Sequence, residues 1–315
     1  MMTNHGTHRS GGLPRRVAAA GMAALVVTMV AACGDSTTGS APPSTRRTAA
    51  SATADGAAPS TRPSSPSDAL AVRLVDYGFQ SPSSVPAGYV SLDVTDAGTQ
   101  QHEMQVGRLN DGVTWDQVEE RLHGPAPDSV ALLVTMVGGT APVEPGGTAS
   151  TTVRLDEGLY GLFCFVVGWD GASHLAHGMA KPLEVEAPHH SAAEPASEGT
   201  IVLRDMAIDL PDGFDGTGTW KFVNEGTQPH QALVLQYADG ATDAEVDAYL
   251  TATTPPAKVP ALAIGGAGAI SPGEEEWVHL DIPKGTTLWV CMVPDTNKGM
   301  IPHVMEGMRT TYVQT

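Results

Sequence analysis

The chain has 315 residues, and its few aromatics (5%) with 35 Gly and 24 Pro suit about two domains of short strands joined by many turns. A formal charge of −18 argues against a nucleic-acid partner, because phosphate would be repelled. No run of like charge is long enough to form an interaction tail.

Residues 1–32 read as a targeting segment. "HRSGGLPRR" supplies positive charge, and a 16-residue apolar stretch, "VAAAGMAALVVTMVAA", follows it, too short to span a bilayer comfortably. The stretch ends in "VAAC", which resembles a bacterial lipobox and implies lipid on the Cys33 thiol after cleavage before it. The other reading of this end is an ordinary secretory signal with an incidental Cys. Cleavage would remove three Arg and no acid, leaving 14 basic against 35 acidic residues, a net −21. Residues 33–68 contain almost no apolar side chain larger than Ala, so they cannot offset their ordering entropy and are expected to be a flexible tether.

The rest of the chain is written twice. "VRLVDYGF" (72–79) aligns with "IVLRDMAI" (201–208), "AGTQQHEMQVGRL" (97–109) with "EGTQPHQALVLQY" (225–237), and "EPGG" (144–147) with "SPGE" (271–274). "HLAHGM" (174–179) recurs as "HVMEGM" (303–308), and the offset stays between 127 and 129 throughout. Such self-similarity marks an internal duplication. Its copies occupy 69–186 and 199–315, with a low-complexity linker at 187–198. Each copy is expected to be all-β: "YVSLDV", "STTVRLD" and "GLYGLFCFVV" in the first, "TWKFV", "EWVHLDI" and "TTLWVCMV" in the second, are alternating or short apolar runs between turn residues. One helix interrupts each copy, opened by the capping boxes Thr114/Gln117 and Thr242/Glu245. Trp115, Val118 and Leu122 fall on one face of the first helix, so Trp115 belongs to the core.

The chemistry-bearing residues recur with the repeat. His102, Cys164, His174 and Met179 in the first copy return as His230, Cys291, His303 and Met308 in the second. A thiolate and two imidazoles in a plane, with a weak axial thioether, is the ligand set of a blue-copper centre. The bland alternative is a buried Cys and a core Met with no ligand role. Two cysteines in an exported chain would ordinarily be read as a disulfide. Here they occupy equivalent strands of what the repeat suggests are two separate sandwiches, which would seldom bring their Cα atoms within ~6 Å.

"GLYGLFCFV…HLAHGM" near the end of the copy, and an early His in "DAGTQQH" and "NEGTQPH", make both copies resemble cupredoxins, the plastocyanin and azurin class. The resemblance implies two tandem Greek-key β-sandwich domains, each with one inserted helix and one copper ion. It also implies a role in electron transfer, which the lipid anchor read at Cys33 would place at the outer face of the membrane, where a tethered carrier suits a redox protein partner. A copper carrier or storage protein and a metal-free interaction module are the other readings. The chain departs from the family pattern in one respect: nine residues separate Cys164 from His174 and eleven separate Cys291 from His303, so a less constrained centre is expected. Two-domain relatives include copper oxidases and nitrite reductases. Cys164 lies between Phe163 and Phe165, Cys291 between Val290 and Met292, and no His-x-His pair occurs, so the expectation is a carrier and not an enzyme.

Overall fold

Strand-forming apolar alternation becomes two layers in each copy. The computed structural model describes residues 69–168, 170–189, 193–250, 252 and 258–315. The targeting segment, Cys33 and the tether lie outside the described residues. In the first copy one sheet is built from Gly78–Gln80, Ala69–Val75, Gly88–Asp96 and Thr148–Leu155, in that order. The facing sheet runs Val134–Gly139, Gln105–Leu109, Gly158–Phe163, Ala180–Glu186 and Ser84–Pro86. Leu70, Val72, Leu74, Val90 and Leu92 of the first layer pack against Val106, Leu162 and Leu183 of the second. The alternation dictates this: in Ala69–Val75 every second side chain is buried. The second copy repeats the plan, with Ala207–Asp209, Gly199–Arg204, Thr217–Asn224 and Glu275–Asp281 in one layer. Ala261–Ile270, His230–Tyr237, Gly285–Val290 and Arg309–Gln314 form the other. The tandem, two-layered all-β architecture expected from the sequence is the one the chain adopts.

Both helices start where the capping boxes place them. Thr114 accepts from the Gln117 amide and the Gln117 side chain from the Thr114 amide, opening Trp115–Leu122. Thr242 and Glu245 do the same for Asp243–Leu250. Trp115 stacks on Phe163, ring centres 6.3 Å apart, and belongs to a satellite core with Val118 and Leu175.

The sandwiches are not separate, which corrects the sequence expectation. Thr148–Leu155 pairs antiparallel with Glu275–Asp281, and Ile270 pairs with Val137, so each layer runs unbroken from one copy into the other. Equivalent strands meet. Thr140 bridges Ala267, and the internal alignment lays these two residues over one another. The seam is therefore close to a two-fold arrangement about that pair and the Thr151–Val278 pair, whose members also align. The paired glycines Gly139 and Gly266, with φ of 151° and 118°, are required here: a Cβ at either would collide with the carbonyl oxygen of Met104 or Ala232.

Polar groups along the seam are mostly paired across it. The Ser271 hydroxyl accepts from the Met136 amide (2.9 Å), and Gln105 Oε1 accepts from the Ala269 amide (2.8 Å). Glu276, fully buried, accepts through Oε1 from Gly139 N (2.9 Å) and the Thr151 hydroxyl (2.7 Å), while its Oε2 has no partner. Burial pushes its carboxyl up to about 8. The folded state thus holds a proton that the unfolded chain releases near pH 4.5. That share of stability is complete below pH 4.5 and is lost as pH rises toward 8. Glu276→Gln should flatten the decline, which can reach about 1.4 kcal/mol per pH unit. Urea midpoints at pH 5 and pH 8 would check this; an equally steep decline in the variant would contradict it.

Candidate metal centres

One end of each sandwich gathers the repeated residues. His230 opens its strand, whereas His102 lies ahead of Gln105–Leu109, paired only with Val143. Cys164 and Cys291 each follow the last residue of a strand, Phe163 and Val290, so the apolar runs "GLYGLFCFVV" and "TTLWVCMV" leave the sheet sooner than their hydropathy suggests. Both thiols are free and completely buried.

The "HGM" and "EGM" endings have a local cause. His174–His177 and His303–Glu306 are single turns of 3-10 helix closed by Gly178 and Gly307 in the left-handed region, φ 84° and 98°. The next residue then turns back: Met179 N and Met308 N each donate to the carbonyl of the turn's first His at 2.9 Å. Cys164 N and Cys291 N donate to the Met179 and Met308 carbonyls at 3.3 and 3.2 Å. Main-chain bonds thus lace Cys, His and Met together, and both methionines are buried with their cysteines.

The long Cys-to-His loops do not loosen this arrangement. His174 N donates to Val166 O (2.8 Å) and His303 N to Val293 O (3.0 Å), so each His is tied to the residue two beyond its Cys. The additional residues form a side excursion, pinned by Asp170–His177 (2.7 Å) in the first copy and by Lys298–Glu306 (2.9 Å) in the second. In the second copy the excursion is a small hairpin, Pro294–Asp295 against Ile301–Pro302.

In the second copy three ligand atoms converge. His230 Nδ1 lies 3.1 Å from His303 Nδ1, and Cys291 Sγ lies 3.4 Å from His303 Nδ1 and 3.9 Å from His230 Nδ1. These are the three residues that group as a metal-holding cluster among the described residues. Atoms bound about 2.0–2.3 Å from one ion would lie roughly 3.3–4 Å apart, so the spacing fits a common metal. Two imidazoles and one thiol with a buried Met alongside suit copper; a structural zinc site would supply a fourth strong ligand. In the first copy Cys164 Sγ lies 3.3 Å from His174 Nδ1 and the His102 and His174 rings are 4.7 Å apart, but His102 Nδ1 faces Asp96 and not the thiol.

Burial sets the protonation of these groups. It pushes the Cys291 thiol up to about 12 and the Cys164 thiol well above its usual range. It also lowers His230 and His303, and takes His174, with help from nearby His102, down to about 4. At neutral pH the pocket therefore holds neutral thiols and neutral His174, His230 and His303, and a metal must displace the thiol proton. Gln231 N and Glu103 N point at the sulfurs, at 3.4 and 3.5 Å.

Sequence reasoning did not assign the carboxylates behind the imidazoles. Asp205 Oδ1 lies 3.0 Å from His230 Nε2. The Thr227 hydroxyl foremost, then its amide and His230, holds the Asp205 carboxyl down to about 2. Asp76 takes the same place in the first copy, bonded to Thr99. The signal was present: Asp76 and Asp205 align in the repeat.

No family model matches the chain, and no curated relative does. Solved structures with some likeness include an auracyanin from Roseiflexus castenholzii, at 20% identity and TM-score 0.27, covering 39% of this chain and 99% of that one. Auracyanin A of Chloroflexus aurantiacus, a "blue" copper protein, follows at 14% identity and 0.25, covering 38% and 99%. A multicopper oxidase covers 71% of this chain and 82% of its own at 12% identity and 0.24. Likenesses this low carry no functional argument. The metal reading rests on the ligands.

Proposed function

We propose that the chain is an exported copper protein, tethered to the outer face of the bacterial membrane through lipid on Cys33, that carries single electrons through one type 1-like centre per domain. The centres would be His102, Cys164, His174 and Met179, and His230, Cys291, His303 and Met308. The observation that carries the reading is the convergence of His230, Cys291 and His303 on a common point. Copper held there supplies a reversible one-electron couple, with Met as the weak ligand that tunes it. The protein's part is to keep the ligands where both oxidation states accept them. The laced turns and pinned excursions do this, and complete burial of the Cys, His and Met side chains excludes water. A carrier is favoured over an oxidase by the residues flanking each Cys, none of which is a His that could pass electrons to a second metal. Met305 and Ile301 stand exposed around the buried His303, an apolar rim suited to brief contact with a redox partner.

Anaerobic reductive titration of the copper-loaded chain should take up two electrons, reversibly. Met179→Leu and Met308→Leu should each keep the metal and change one potential. Copper that stays bound but cannot be cycled would favour storage. Cys33→Ser should move the protein from the membrane fraction to the soluble or precursor fraction; unchanged fractionation would sink the lipid anchor.

A further inference from the structure

The two centres differ at one position behind the first His. Asp96 and Asn224 are equivalent in the repeat, and both are buried. The Asn224 side chain is fully committed to backbone: Oδ1 accepts from Gly226 N (2.8 Å), and Nδ2 donates to Gln228 O (2.7 Å) and Ile270 O (2.8 Å). It leaves His230 alone. A carboxylate cannot make the two donations. Asp96 accepts from Gly98 N (2.8 Å) and takes His102 Nδ1 as its other donor, 3.1 Å from each oxygen.

The rings respond by facing opposite ways. The edge of His102 bearing Nδ1 and Cε1 faces Gly98, while the edge of His230 bearing Nε2 and Cδ2 faces the equivalent Gly226. This is a half-turn about Cβ–Cγ. In the second copy Asp205 accepts from Nε2–H, so Nδ1 is bare and aimed at Cys291 and His303. In the first copy Nδ1 carries the proton and is aimed at Asp96. Its Nε2 is left without a partner, 3.7 Å from Asp76 Oδ1, where two acceptors face one another. Turning the ring would restore the Asp76 contact and bare Nδ1, at the cost of the Asp96 bond.

We infer that the centres are unequal by construction: the second copy is set to take metal, and Asp96 holds the first in a turned-away state that metal must undo. Asn or Asp at this position is the determinant. Asp96 is thus a positioning residue that acts through His102. The inference rests on the copper reading for its consequence, but its structural half does not need copper.

Nitrogen-15 NMR of the metal-free full chain should show His102 protonated on Nδ1 and His230 on Nε2, and Asp96→Asn should move His102 to the Nε2–H form. The same form for both in wild type, or no change in the variant, would overturn the inference. For the metal arm, Cys291→Ser leaves only the first centre and Cys164→Ser only the second. In competition with a chelator for Cu(II), the first should bind about tenfold or more weakly, in the range typical of groups behind metal ligands. Asp96→Asn should close the gap, and Asn224→Asp should open it in the second centre. Equal affinities insensitive to both exchanges would also overturn the inference. If neither centre takes copper, the copper reading fails and the NMR result alone decides this one.

Discussion

Trp277→Ala is expected to cost about 3–5 kcal/mol, the usual penalty for emptying a fully buried Trp site. Trp277 is 1% exposed, packs edge-on against Tyr89 of the other copy at 5.2 Å, and lies under Lys221 at 4.8 Å. It also sits opposite Thr152 at the centre of the seam, so the cavity would open where the two copies join. For a chain of this size the loss corresponds to roughly 10 °C in the midpoint of thermal unfolding. None of the proposed metal ligands is on its strand, so the variant should still take metal when folded. A midpoint within about 2 °C of wild type would mean that the copies do not share a continuous sheet in solution.

The sequence exposed much of this design through its repetition. A period-2 pattern with turn residues was enough to place strands such as Gly88–Asp96 and Thr217–Asn224, and two capping boxes located both helices. Ligand candidates were legible because Cys, His and Met recurred at one offset. The seam was not legible. It depends on which edges meet, and Val134–Gly139 and Ala261–Ile270 are Gly-rich stretches whose small side chains give little strand signal while permitting close backbone approach. The loops misled for a related reason. Counting residues between Cys and His measures contour length, whereas the His174 N–Val166 O and His303 N–Val293 O bonds cut the excursion out of the path. The Asp96/Asn224 difference was visible as letters. Its meaning needed the backbone carbonyls of Gln228 and Ile270, which only Asn can reach as a donor.

Loss of copper on removing each thiol should be the largest chemical effect. The Sγ atoms of Cys291 and Cys164 lie 3.4 and 3.3 Å from Nδ1 of His303 and His174. A serine hydroxyl of similar size would remain protonated and offer no soft anionic donor. Each single Cys→Ser variant should therefore retain one copper per chain and the double variant none. Both thiols should titrate as free in metal-free protein after denaturation without reductant, as the separate buried cysteines require. A thiolate bound to Cu(II) also gives an intense visible charge-transfer band, which should weaken with each variant. The direct test is metal content after Cu(II) loading and desalting, compared between wild type and the Cys164→Ser/Cys291→Ser double variant. Two copper ions per wild-type chain against none in the double variant is the predicted result. Equal content in the two would contradict it and leave these domains as sandwiches without a metal.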